Sequence, residues 1–270
     1  MGNSTSAAVN HPTTTVAVPS NSEPTQTITS NNSILFVLGA GASVSSGLRT
    51  YRGPTGIYPK NVEQILCPEM LNGDPGRVWE EIRNTILKNQ NQMTIGPTYH
   101  SLKKFADRFP KSMFVTQNVD GLIRQVGIPD DRICELHGEL RTMKCMNTRC
   151  KTVQPINWES QACTQCGTWC RPSVVLFGEN INPDHFKWIK HEIRRTRPRY
   201  VIVVGTTLMF PYLKHFVQDV KSCGGGEVLV LNINPDSTST LPIVNTINYE
   251  MDSDEGLESI FNTLSSKIKD

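Results

Sequence analysis

Four cysteines carry the most specific chemistry in the chain. Cys145 and Cys150 are separated by four residues, Cys163 and Cys166 by two, and twelve residues lie between the pairs. Two close pairs of thiolates suit a tetrahedral zinc ion, and four sulfur ligands leave no open position on the metal. The ion expected here is therefore structural, not catalytic. Four unrelated buried cysteines are the weaker alternative. The residues between the pairs, KTVQPINWESQA, have little power to form a core, so the metal is expected to hold this lobe together. Cys170 follows the last ligand as a bystander, and Cys67, Cys134 and Cys223 read as core or surface residues.

A second group of residues suggests a ligand site. The stretch LFVLGAGASVSSGLRTYRG, Leu35 to Gly53, begins as an apolar strand followed by Gly39-Ala40-Gly41. It resembles the start of a dinucleotide-binding loop, yet Val44 stands where the third glycine belongs and no second strand ending in an acidic residue follows. Further on, FVTQNVDGL brings Gln117, Asn118 and Asp120 together at a predicted strand end. ELHGEL then places His137 just past another strand end, beside the cysteine lobe. A lone histidine is usually structural. One at the ligand edge of a sheet is a better candidate for acid–base work.

The elements that must position these groups read as alternating strands and helices. Short apolar runs at Ile34–Leu38, Met113–Thr116, Val174–Phe177, Tyr200–Val204 and Val228–Ile233 predict buried strands. Helical spacing appears near Pro75–Leu87, Tyr99–Arg108, Pro183–Arg195, Tyr212–Lys221 and Glu255–Ile268. This alternation predicts an α/β fold: a doubly wound, mainly parallel Rossmann-like sheet with a small inserted zinc-binding lobe at about 138–172. Ligands of such sheets bind at the carboxyl ends of the strands. Gly39, Gln117, Asn118, Gly205, Thr206 and Asn232 all follow or end predicted strands there.

The chain has 270 residues, enough for one large core with a satellite, and a formal net charge of only +2, which gives no reason to expect direct nucleic-acid binding. No apolar run approaches a membrane span, and no secretory signal is visible. Residues 1–32, rich in Ser, Thr, Asn and Pro, read as a disordered tail ahead of a domain over 33–270. The opening MGNSTS fits the N-myristoylation pattern, with Gly2 as acceptor and Ser6 at the hydroxyl position; an ordinary polar N-terminus fits it equally. A single myristoyl chain would give only weak, reversible membrane association, with no basic patch as a second anchor. The expected location is the cytoplasm, partly membrane-bound if Gly2 is acylated, or the nucleus.

Taken together, GAGASVSSG, YRG, TQNVDG, LHG, the two cysteine pairs, VVLFGE, GTTL and LNIN occur in the order found in sirtuins, and the chain resembles that family from about Ile34 to Phe261. The resemblance implies an NAD-dependent protein-lysine deacylase that consumes NAD and releases lysine, nicotinamide and O-acyl-ADP-ribose. It implies His137 as general base on a ribose hydroxyl, with Asn118 ordering the point of attack. Gly39 and Gly41 would let backbone amides approach the pyrophosphate, with Ala40 and Ser43 among the cofactor contacts and Tyr51 and Arg52 in the loop above the nicotinamide ribose. Gln117 would contact the ribose and Asp120 the nicotinamide carboxamide. Thr206 and Asn232 would hold the adenosine half, and Gly205, Thr207 and Asn234 would join them as cofactor contacts. Val174, Phe177 and Gly178 would pair with the backbone of an acyl-lysine protein substrate, a mode that reads little sequence. One zinc ion would complete the cofactors.

Some positions depart from the family pattern. Arg49-Thr50-Tyr51-Arg52 replaces the usual Pro-Asp-Phe-Arg, Ile123 replaces a frequent histidine, and the MFP after GTTL is one residue short. Members that remove dicarboxylic acyl groups carry Tyr and Arg where Ile82 and Thr85 stand here, so a neutral acyl chain, acetyl or longer, is expected. The same NAD residues would serve a protein mono-ADP-ribosyltransferase, or a non-catalytic NAD- and zinc-binding module.

Overall fold

The computed structural model describes residues 28–50, 56, 62–86, 93–223, 228–236, 243 and 245–268. Gly2, Tyr51 and Arg52 lie outside them, as does the side chain of Thr85.

Six strands form a parallel sheet: β1 (Ile34–Leu38), β2 (Met113–Thr116), β3 (Ile133–Glu135), β7 (Tyr200–Val204), β8 (Leu229–Ile233) and β9 (Thr246–Tyr249). Their order is β3-β2-β1-β7-β8-β9, with every pairing parallel. The order reverses direction between β1 and β7, which makes their carboxyl ends the topological switch point where such sheets open a crevice.

β1, β2 and β7 are buried on both faces, which explains why they read as uninterrupted apolar runs. On one face Phe36, Phe114, Ile202 and Leu231 meet α4 (Pro97–Arg108) and α8 (Ser253–Ser266) through Leu102, Phe105, Leu257 and Ile260. On the other, Leu35, Val37, Val115 and Val201 meet α6 (Pro183–Thr196) and α7 (Pro211–Cys223) through Ile189, Ile193, Phe216 and Val217. Adjacent residues of β1 thus serve opposite layers, as strand geometry requires.

A separate antiparallel sheet, β5-β4-β6, is built from β4 (Gly138–Cys145), β5 (Val153–Pro155) and β6 (Cys170–Val174). Three helices, α1 (Val62–Ile65), α2 (Pro68–Gly73) and α3 (Pro75–Ile86), pack beside it, with Val78 and Ile82 against Leu176. The indole N–H of Trp79 on α3 donates to the Cys170 carbonyl at 2.8 Å. Short α5 (Leu122–Gln125) follows the β2 loop.

Two expectations need correction. Val174–Phe177 is not a strand of the main sheet: β6 stops at Val174 and pairs with β4 in the small sheet. Beyond it, Val175 N–H donates to the His137 carbonyl, Leu176 N–H to Glu179 Oε2, and Phe177 N–H to the Leu66 carbonyl. An apolar run of this length signals burial without saying which sheet receives it. The folded chain also starts before residue 33. Ile28 is buried and bridges to Ile268, and Asn32 Oδ1 accepts from Thr29 N–H.

Candidate active site

At the switch point the two loops cross in backbone contact. Gly39 N–H donates to the Val204 carbonyl at 2.9 Å and Gly41 N–H to the Gly205 carbonyl at 3.0 Å. A β-carbon on Gly41 would lie 2.5 Å from Gly205 Cα, and one on Gly205, which has φ +59°, would lie 2.4 Å from Gly41 Cα. Only glycines allow this crossing. The expected role for Gly39 and Gly41, amides aimed at a pyrophosphate, is therefore revised: these N–H groups are engaged within the protein, and the glycines close the floor of the crevice. The chain then turns through a short 3-10 segment, Ala40–Ser46, which ends at left-handed Gly47.

A polar network stands on that floor. Asn118 is buried at the end of β2, and its Nδ2 donates to the Gly39 carbonyl at 2.9 Å and to Ser43 Oγ at 3.0 Å. Ser43 Oγ donates its one proton to Asp120 Oδ2 at 2.7 Å, so the Tyr99 hydroxyl, 2.8 Å away, donates to Ser43. Asp120 Oδ1 accepts from Leu122 N–H at 2.9 Å. Burial raises the Asp120 carboxyl above its ordinary value; the Ser43 and Leu122 hydrogen bonds hold it down, and Glu135 pushes it up. Asn118 Oδ1 is buried with no hydrogen-bond partner. A buried polar oxygen costs free energy unless something donates to it, so this oxygen is open to a donor from a ligand. Gln117 Nε2 donates to Thr206 Oγ1 at 3.1 Å and ties the β2 and β7 ends together.

His137 joins this edge from β3. Its Nδ1 lies 3.1 Å from the Gln117 carbonyl. A carbonyl only accepts, so the neutral ring carries its proton on Nδ1 and its lone pair on Nε2. The Tyr212 hydroxyl, 2.7 Å from Nε2, is therefore the donor in that bond. Desolvation lowers the His137 pKa below the ordinary 6.5; the Gln117 hydrogen bond opposes the shift and neighbouring His185 adds to it. The next residue, Gly138, has φ +80°, and a β-carbon there would lie 2.1 Å from the Ser173 carbonyl. That glycine turns the chain from the main sheet into the small lobe.

The other expected contacts are spread along the same edge. Asn232 is buried on β8 and donates from Nδ2 to Asn248 Oδ1 at 2.9 Å. Asn234 N–H donates to the Tyr249 carbonyl, and Thr207 is exposed beside half-buried Thr206. Val174 and Phe177 are half-buried, and Gly178 is exposed with φ +87°. Sequence patterns did not mark Tyr99 or Tyr212, because each reaches the site from a helix packed against the sheet.

In the lobe, the sulfurs of Cys145, Cys150, Cys163 and Cys166 all lie within 4.8 Å of one another. Cys145 and Cys166 are 3.4 Å apart, and Cys150 and Cys163 are 3.8 Å apart. Tetrahedral zinc with Zn–S bonds of about 2.3 Å spaces its sulfurs by roughly 3.8 Å, so the quartet fits the ion in donor type and spacing. Bound there, zinc would supply structure only.

Comparisons with known proteins place the whole arrangement in one family. A family model described as the Sir2 family matches residues 39–210. The NAD-dependent protein deacylase 2 of Pseudomonas aeruginosa is 31% identical over 217 residues, which are 76% of this chain and 82% of that protein. A mutant Sir2 homologue solved in complex with ADP ribose superposes with a TM-score of 0.75 at 25% identity, covering 87% of this chain and 92% of the other. Another Sir2 homologue mutant, solved with 2′-O-acetyl ADP ribose, gives a TM-score of 0.72 at 27% identity, with 86% and 93% covered.

Proposed function

Because the chain belongs to the Sir2 family, we propose that His137 is the general base of the NAD-dependent protein-lysine deacylation this enzyme performs. The observation that carries the assignment is the ring's fixed tautomer. With Nδ1–H held by the Gln117 carbonyl, Nε2 is the basic atom, and it sits at the carboxyl edge of a sheet whose relatives are complexed with ADP ribose and its acetyl ester. NAD, consumed in the reaction, supplies the ribose that accepts the acyl group. His137 takes a proton at Nε2 from a ribose hydroxyl. Asn118 Oδ1, which lacks a partner, receives a donor from the ligand. Asp120, braced by Ser43 and Leu122, keeps acceptor lone pairs for the nicotinamide carboxamide. Gly39, Gly41 and Gly205 shape the floor beneath the phosphates, and Thr206, Asn232 and Asn234 line the edge toward the adenosine.

The substrate is an acyl-lysine protein segment, and a neutral acyl group is favoured. Ile82 on α3 is buried in an apolar cluster, and the adjacent cation, Arg83, bonds the Trp158 carbonyl instead. The decisive experiment is nicotinamide release by purified protein with acetyl-, longer acyl- and succinyl-lysine peptides, followed by product mass. O-acyl-ADP-ribose supports deacylation, whereas ADP-ribose attached to protein supports the transferase alternative.

The pH profile follows from the His137 environment. The base works only when neutral, and its pKa lies below the ordinary 6.5. The acid limb of kcat/KM for NAD is therefore expected to fall below pH 6.5, with most of the activity retained at pH 7. An acid limb above pH 7 would contradict this burial.

Localisation is proposed from the tail. If Gly2 is myristoylated, the protein partitions between cytosol and membrane, since one such chain binds with a constant of only about 10⁴ M⁻¹. Gly2→Ala is then expected to be fully soluble with unchanged deacylation. Intact mass of the N-terminal peptide from native cells checks this; an unmodified terminus leaves a cytoplasmic or nuclear protein. Among the described residues no helix is long and apolar enough to cross a membrane.

A further inference from the structure

Tyr212 occupies the one lone pair on which the base depends. Its hydroxyl donates to His137 Nε2 at 2.7 Å, while Nδ1 is committed to the Gln117 carbonyl. A neutral imidazole has a single lone pair, so it cannot accept from Tyr212 and take a proton from a ribose hydroxyl at the same moment. The phenol is held from several sides. Its ring stacks on Phe210 at 5.4 Å with an interplanar angle of 8°, and Phe186 and Phe216 pack against it at 5.9 and 6.3 Å. The preceding loop from β7 is partly open to solvent. Leu208 there adopts φ +49°, and Met209 and Phe210 are 49% and 37% exposed.

We propose that Tyr212 is a positioning residue for the base: its phenol orients His137 and shields Nε2 before the cofactor arrives, then yields that place to the ribose hydroxyl. The inference rests on His137 as the base. The two hydrogen bonds grip the ring from opposite edges, so Nε2 is aimed before substrate binds, and replacing one hydroxyl by another costs little because their chemistry is alike. The Phe210–Tyr212 stack, at the start of α7 and partly open to solvent, supplies the element that shifts.

The test modifies the base chemically in protein free of NAD. Diethyl pyrocarbonate carbethoxylates a neutral imidazole at its free lone pair, and His137 is half-buried, within reach of the reagent. Tyr212→Phe keeps the ring contacts and removes the cap. Carbethoxylation of His137, followed by peptide mass spectrometry, is expected to accelerate by roughly three- to tenfold, the worth of one hydrogen bond. KM for NAD is expected to fall by a similar factor, because binding no longer displaces the phenol. A residue that served packing alone would leave both the modification rate and KM unchanged, because phenylalanine keeps the ring contacts. Equal modification rates in the wild type and a folded Tyr212→Phe overturn the proposal. If that variant fails to fold, Tyr212→Met fills the space without a hydroxyl, and its modification rate decides in the same way. The readout needs no deacylation, so failure of the base assignment, seen as activity retained by His137→Ala, stays distinguishable from failure of the cap.

Discussion

His137→Ala is expected to lower deacylation by roughly 10²–10⁴-fold, the range spanned by a general base, while NAD still binds and zinc content is unchanged. The reasoning is local. The imidazole bridges the Gln117 carbonyl and the Tyr212 hydroxyl, both of which belong to elements fixed by the main sheet and its helices. Removing it frees two hydrogen-bonding groups at a half-buried position, which costs at most about 1–3 kcal/mol of stability each and less where water enters. The backbone of residue 137 keeps its own role, because its carbonyl accepts from Val175 N–H at 2.8 Å. The fold therefore survives while the proton acceptor is lost. Peptide deacylation measured beside NAD binding by calorimetry separates the two effects. Near-normal turnover in the alanine variant would place the base elsewhere.

Cys145→Ser is expected to lose the metal and to unfold the small lobe. The lobe's apolar cluster is small: Met143, Cys163 and Cys170 meet Trp79 of α3, with Ile156 and Trp158 partly buried against them. So small a core contributes little stability of its own, whereas a structural zinc contributes about 10–16 kcal/mol in peptides that fold around it. The consequence reaches the active site through the chain. β4 begins at Gly138, directly after His137, and Gly138 pairs with Val174 at the end of β6. Loss of the lobe therefore frees the backbone on both sides of the base, and deacylation should fall with the metal. Metal analysis, solubility and the thermal melt check this. Cys170→Ala is the control: its sulfur is outside the quartet, so zinc is expected to stay at one ion per chain. Metal retained by Cys145→Ser, or lost from Cys170→Ala, would redraw the ligand set.

The sequence by itself determined the parts whose chemistry is local. Continuous apolar runs marked β1, β2 and β7 because strands buried on both faces need apolar residues at successive positions. The cysteine spacing marked the metal quartet because ligands for one tetrahedral ion must come in close pairs. Gln117, Asn118, Asp120 and His137 were legible because polar residues directly after such strands fall on the ligand edge. What only the tertiary structure decided depends on groups far apart in the chain. The three-residue β3 and the half-buried β9 carry too few apolar residues to stand out, and they are strands because a neighbour offers an unpaired edge. Val174–Phe177 has the composition of a core strand, yet β6 ends at Val174 and pairs in the small lobe. Gly39 and Gly41 read as phosphate ligands, and their purpose became visible only when Gly205, more than 160 residues later, was found against them. Tyr212 reaches His137 across 75 residues of sequence. No spacing rule encodes that contact, because it exists only once α7 has packed on the sheet and turned its first residues toward the end of β3.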